Sequence, residues 1–186
     1  MEAITKACLV PLILAVYISG AANIYFLVTL ALVLGWLGDV FLLKITDIRF
    51  FRLGLASFLL GHICYIPAIL HFSGKLQMFP FIISLAAAVP LGYLIRRLVR
   101  PSKEMNIPAF AYETVILLMA VSSLQLFLSQ GAPFGALVFA GALCFLVSDT
   151  LLAFFTFRTM PRYGQFFVMF TYIPAQLLIV LGLSGL

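Results

Sequence analysis

"GDVFLLKITDIRFFRLGLASFLLGHICYIPA", from Gly38 to Ala68, carries an acid inside an apolar run, crosses a short basic segment and re-enters an apolar run that ends in YIPA. "SDTLLAFFTFRTMPRYGQFFVMFTYIPA", from Ser148 to Ala175, does the same. Both contain, in order, a small residue, Asp, two further positions, Leu, a basic loop with Arg-x-Gly, and YIPA. The Asp-to-Tyr spacings are 26 and 23 residues, a difference of less than one helical turn. The two stretches therefore read as one helical hairpin used twice.

The rest of the chain says what solvent those hairpins occupy. Of the 186 residues 65% are hydrophobic and 9% charged, and the mean hydropathy is +1.21. Such a chain has too little polar surface to cover a water-soluble globule, which points to a membrane protein. Apolar runs fall at 5–19, 24–43, 50–72, 78–95, 107–129, 133–157 and 163–184. Most are long enough to cross a hydrocarbon layer of ~30 Å as helices. The expectation is an all-α, polytopic membrane bundle of about seven transmembrane helices forming a single integral domain over residues 1–186. Lys6, the first apolar run and the small-residue end "SGAA" also fit a secretory signal. The very short connection to the next run favours its retention as a helix.

Orientation follows from the basic residues. With the amino terminus inside, Lys6, Lys44, Arg49, Arg52, Arg96, Arg97, Arg100, Lys103, Arg158 and Arg162 share one side, and Lys75 alone lies on the other. That asymmetry predicts amino terminus in and carboxyl terminus out. On this reading the net charge of +5 reflects topology and attraction to anionic headgroups, not nucleic-acid binding. Both hairpins then run in the same direction, as in a parallel repeat of three helices, a linker helix and three helices. In each copy the Pro two residues after the Tyr, Pro67 and Pro174, is expected to bend the return helix. Cys8, Cys64 and Cys144 show neither CxxC nor Cys/His spacing, so they read as packing residues.

The repeat puts Asp39 and Asp149 at equivalent depths, a turn or more inside the membrane from the basic loops. Ionisable side chains there are costly unless they face a partner, the bundle interior or water, so each is a candidate functional residue. His62 lies three residues before Tyr65 on one helical face, and Tyr172 and Gln176 lie four apart on another. Tyr112 and Glu113 place further polar atoms at the same level. His71, near the other end of its helix, reads as interfacial.

The segments "GWLGDVFLL", "GLASFLLGHICY", "GALCFLVSDTLLA" and "TYIPAQLL" resemble, in this order, the signature segments of the YhhN-like membrane proteins, whose characterised members are lysoplasmalogenases. The Lys and Pro of "KACLVP" and the Tyr of "AFAYE" fit weaker positions, so the resemblance covers nearly the whole chain. Family members are usually drawn with eight helices, one more than is counted here, and the resemblance assigns no role to Glu113.

The resemblance implies hydrolysis of the sn-1 vinyl ether of a lysoplasmalogen to a fatty aldehyde and glycerophosphoethanolamine or glycerophosphocholine. No cofactor or metal is implied, and the partners are the lysophospholipid substrate and membrane lipids, with the oligomeric state left open. The setting would be a bacterial inner membrane, or the endoplasmic reticulum in a eukaryote. Vinyl ether cleavage requires a positioned acid to protonate the β-carbon and an anion facing the resulting oxocarbenium ion, a demand shared with glycosidases. Two carboxylates in a low-dielectric site tend to share one proton. Asp39, Asp149 and His62 are thus the catalytic candidates, with either Asp as the acid. Tyr65, Tyr112, Glu113, Ser148, Tyr172 and Gln176 are the substrate-binding candidates, together with Arg52 and Arg162 among the rim arginines that could meet a phosphate. A transporter with parallel repeats also fits buried acids and kinking prolines, although its site would sit nearer the midplane. A metal-dependent lipid hydrolase would need about three ligands, and His62 is the one histidine placed to serve.

Overall fold

The computed structural model describes residues 2–21, 23–44, 46–74, 76–158 and 161–185, with side chains from Cys8 onward. Lys75, the single basic residue expected on the far side, lies outside the described residues, as does the side chain of Lys6.

The described residues form seven α-helices: α1 (Glu2–Gly20), α2 (Phe26–Leu42), α3 (Ile48–Ser73), α4 (Met78–Val99), α5 (Asn106–Gln130), α6 (Phe134–Phe157) and α7 (Gly164–Ser184). A 3₁₀ turn, Lys103–Met105, leads into α5. No strand is present among the described residues. Five helical segments, Ile48–Ser73, Met78–Val99, Lys103–Gln130, Phe134–Phe157 and Gly164–Ser184, are long and apolar enough to cross a membrane. α2 is apolar but has 17 residues, about 25 Å of helix. The described part of α1, Cys8–Gly20, is shorter still.

Helix boundaries follow the apolar runs closely, with one informative departure. The fourth run stops at Ile95 because Arg96 and Arg97 interrupt it, yet α4 continues to Val99. Arg is a good helix former, and its long stem can lie along apolar surface while the guanidinium reaches a polar group. Arg96 therefore leaves the loop and enters the bundle wall. The start of α3 has a conventional cap: the Arg49 backbone N–H donates to Asp47 Oδ1 at 2.9 Å, satisfying one of the orphan donors of the first turn. α3 and α7 both stay helical through Pro67 and Pro174.

The helices pack as a closed ring. α1 contacts α2, α2 contacts α3, α3 contacts α5, α5 contacts α6, α6 contacts α7, and α7 returns to α1. α4 lies outside the ring against α5 and α6. The α2–α3 and α6–α7 hairpins are the most extensively packed pairs. Side-chain oxygens fasten both: Ser57 Oγ donates to the Leu34 carbonyl at 2.6 Å, and Ser148 Oγ donates to the Val168 carbonyl at 3.2 Å. Gly141 lets α6 and α7 approach closely, since a Cβ there would stand 2.9 Å from both the Ala175 carbonyl oxygen and the Ile179 nitrogen. Small residues at the contact allow such approach where lipid supplies no hydrophobic drive between helices. The outer surface is apolar, with Phe79, Val89 and Phe170 well exposed, while Asp39, His62, Gln125 and Gln176 are buried. Polar inside and apolar outside is the partition expected of a bundle solvated by lipid.

Candidate active site

Asp39 follows the helical face of α2 that turns inward, and its side chain is 1% exposed. Tyr172 of α7 donates its hydroxyl proton to Asp39 Oδ2 at 2.7 Å. Behind Tyr172 the chain continues: Gln176 Nε2 donates to the Tyr172 hydroxyl at 3.3 Å, and the Tyr65 hydroxyl donates to Gln176 Oε1 at 2.9 Å. The four residues join α2, α7 and α3 in one buried network. The i, i+4 spacing of Tyr172 and Gln176 brings them together as expected.

Asp149 has different surroundings. Tyr112 of α5 donates to Asp149 Oδ2 at 2.5 Å, at the short end for an O–H···O hydrogen bond. His62 Nε2 stands 3.7 Å from the same oxygen, beyond hydrogen-bond distance. Neither His62 nitrogen makes a hydrogen bond among the described residues. The ring is wedged between Phe145 and Tyr112, with centroid distances of 4.9 and 5.6 Å. Tyr172 in turn packs on Phe145 at 5.6 Å, so the two carboxylate centres share a wall of aromatic rings. Asp39 is also near enough for its charge to act on Asp149.

A cavity opens beside Asp149 at the end of the bundle that carries the basic loops. The space between its walls is about 760 Å³, part of it open to the surroundings. Its walls come from α2, α3, α4, α5 and α6 and are mostly apolar, among them Phe51, Phe58, Ile95, Leu146 and Phe157. The polar lining is sparse: Arg96, Tyr112, Glu113, Asp149 and Thr150. Asp39 does not line it.

The remaining candidates distribute unevenly. Tyr112 and Glu113 line the cavity, whereas Tyr65, Tyr172 and Gln176 lie in the network behind Asp39. Ser148 points away from the cavity and secures α6 to α7. Arg52 is exposed and pairs with Glu104 at 3.3 Å. Arg162 is exposed too, over the Tyr163 ring. The rim arginine that does reach the cavity is Arg96: its guanidinium donates to Asn106 Oδ1 at 2.7 Å and to the Asn106 carbonyl at 3.1 Å. Its charge among the rim arginines was visible in sequence, but its distinction depends on the extension of α4. His71 sits by Tyr25 and Phe72 at the opposite end of α3. Among the described residues no three His, Cys, Asp or Glu side chains form a group that would hold a metal ion.

Comparison with known proteins places this architecture. The human protein lysoplasmalogenase TMEM86B is 32% identical over 129 residues, a stretch covering 69% of this chain and 52% of that protein. The chain thus spans about half the length of the curated relative it matches. No solved structure matches the chain significantly. The model of the YhhN family matches residues 1–183, so the chain belongs to the YhhN family.

Proposed function

We propose that this protein is a lysoplasmalogenase-type hydrolase, a single membrane domain that cleaves the sn-1 vinyl ether of a lysophospholipid within one leaflet. The observation that carries the reading is Asp149 on the wall of the apolar cavity, held by Tyr112 and with a second Asp, Asp39, behind it. Family membership and the name of the human relative support the same chemistry.

Geometry also supports an unequal division of labour that the repeat alone leaves open. Asp149 faces the cavity, so it is the general acid; Asp39, enclosed by Tyr172, is the anion behind it. Tyr112 occupies one oxygen of Asp149 and leaves the other to carry the proton. That proton passes to the β-carbon of the vinyl ether, and the electron pair of the double bond forms the new C–H bond. The resulting oxocarbenium ion faces the Asp149 carboxylate, with the charge of Asp39 behind it in a low-dielectric site. Water adds to the α-carbon and returns a proton to Asp149. The hemiacetal then collapses to a fatty aldehyde and the free sn-1 alcohol of glycerophosphoethanolamine or glycerophosphocholine, so no serine nucleophile is required. His62, in contact with the Tyr112 ring and close to Asp149, keeps the pair in place.

The closed ring supports the parallel repeat. A two-fold operation exchanging α1, α2, α3 with α5, α6, α7 maps every ring contact onto another, and leaves α4 as the linker. The proposed topology is amino terminus in, carboxyl terminus out, with the cavity in the cytoplasmic leaflet.

The test is to incubate detergent-purified protein with 1-alkenyl and 1-acyl lysophospholipids and to assay fatty aldehyde. Aldehyde is expected from the alkenyl lipid alone. Asp149→Asn should lower kcat by about 10³-fold, within the usual range for loss of a general acid, and Asp39→Asn should lower it less. Full activity in Asp149→Asn would overturn the assignment.

A further inference from the structure

Glu113 is the polar group on the cavity wall that the proposed chemistry leaves without a task. Its side chain lies between α4 and α5 and lines the cavity. Gly92 makes the room for it: a Cβ at that position would stand 3.0 Å from Glu113 Oε1. A carboxylate at this depth is costly unless something answers it. The described residues supply no hydrogen bond to it. Arg96 acts on it electrostatically, but that guanidinium is already bonded to Asn106, and the two are not in ion-pair contact. An acceptor with two oxygens therefore faces an apolar cavity ready for a donor.

Its position says which donor. Arg96 lies four residues beyond Gly92 on α4, about 6 Å nearer the basic end. Glu113, beside Gly92, is next to Tyr112, the residue that holds Asp149. From the basic end inward the polar groups are thus Arg96, then Glu113 and Asp149 at one level. A lysophospholipid presents its groups in the same order: the phosphate on C3, the free hydroxyl on C2, the vinyl ether on C1. A headgroup ammonium would lie on the water side of the phosphate, beyond Arg96 and away from Glu113.

We infer that Glu113 accepts a hydrogen bond from the free sn-2 hydroxyl of the lipid while Arg96 meets its phosphate, so that Glu113 selects lysolipids over lipids acylated at sn-2. The inference rests on the proposed vinyl ether reading. An sn-2 ester has no proton to donate, and it would leave the half-buried carboxylate unanswered on the cavity wall. Loss of one partner in such a pair costs more than the hydrogen bond itself contributes.

The experiment compares a 1-alkenyl lysophospholipid with its 2-deoxy analogue on wild-type protein and on Glu113→Gln and Glu113→Ala. Wild type should favour the hydroxyl substrate by about tenfold or more in kcat/KM, the scale of a hydrogen bond to a charged group. In Glu113→Ala that preference should fall to about twofold or less; Glu113→Gln, which keeps a neutral acceptor, should lie between. An undiminished preference in both variants overturns the inference even though aldehyde is formed. A second arm uses non-hydrolysable 1-alkyl lysophospholipids with and without the 2-hydroxyl and reads binding by thermal stabilisation. If wild type releases no aldehyde from any alkenyl lipid, the vinyl ether reading fails. The binding arm still decides Glu113: a hydroxyl preference lost in Glu113→Ala supports its role, and none in wild type overturns it.

Discussion

Asp39 and Asp149 have matching neighbours along the chain and unlike neighbours in space. Each follows a small residue and precedes a Leu three positions on, yet one is sealed by Tyr172 and the other by Tyr112 beside an open cavity. Perfect symmetry would have turned Tyr65 toward Asp149, as Tyr172 turns toward Asp39. Instead Tyr65 is committed to Gln176, a residue with no polar counterpart after the first YIPA, and α3 presents His62 to Asp149. Tyr112 comes from α5, outside the repeated hairpins, so no alignment of the two copies could have assigned it. Tyr112→Phe keeps the ring against His62 and removes one donor from Asp149. The expected result is a fall in kcat of about 10²-fold with little change in KM, in line with removal of a preorganised donor. Tyr172→Phe, one step further from the cavity, should cost less in kcat. A Tyr112→Phe enzyme with unchanged kcat would remove Tyr112 from the mechanism.

Among the elements, the α6–α7 hairpin shows how small residues set the packing. Gly141 meets the α7 backbone at Ala175 and Ile179, where neither atom can rotate away. Gly141→Ala should therefore push the helices apart and destabilise the protein by about 1–3 kcal/mol, measured as a lowered unfolding midpoint in detergent. Gly20→Ala is the matched control, because nothing lies within 4 Å of a Cβ there. Existence and rough extent of all seven helices could be read from the apolar runs. The end of α4 could not, since hydropathy stops at the first arginine whereas backbone hydrogen bonding does not. That difference of one turn moves Arg96 from a solvated loop to the cavity wall. For Arg52 and Arg162 the same reasoning applies in reverse: both stay at the exposed periphery, one paired with Glu104 and the other over Tyr163.

At the level of the whole molecule, the ring of six helices with α4 outside explains why the cavity lies where it does. Its walls come from the ring helices α2, α3, α5 and α6 and from the external α4, so α4 contributes a wall although it packs against few neighbours. Orientation in the membrane is testable with single cysteines after Cys8, Cys64 and Cys144 are replaced. A membrane-impermeant thiol reagent applied to intact cells should label Gln130→Cys and leave Ser102→Cys unlabelled. The opposite pattern would put the basic loops and the cavity outside.

The amino-acid sequence by itself determined the solvent, the helices, the basic end and the pair of buried acids, because each depends on local composition and on periodicity along one chain. Only the tertiary structure decided which acid meets the cavity, which tyrosine holds it and which arginine stands at the rim. Those outcomes depend on how each helix is rotated and on which neighbour it meets, and the ring brings together residues as far apart as Asp39 and Tyr172. Two positions with matching sequence neighbours are packed unequally: Asp149 lies on the cavity wall and Asp39 is enclosed by Tyr172.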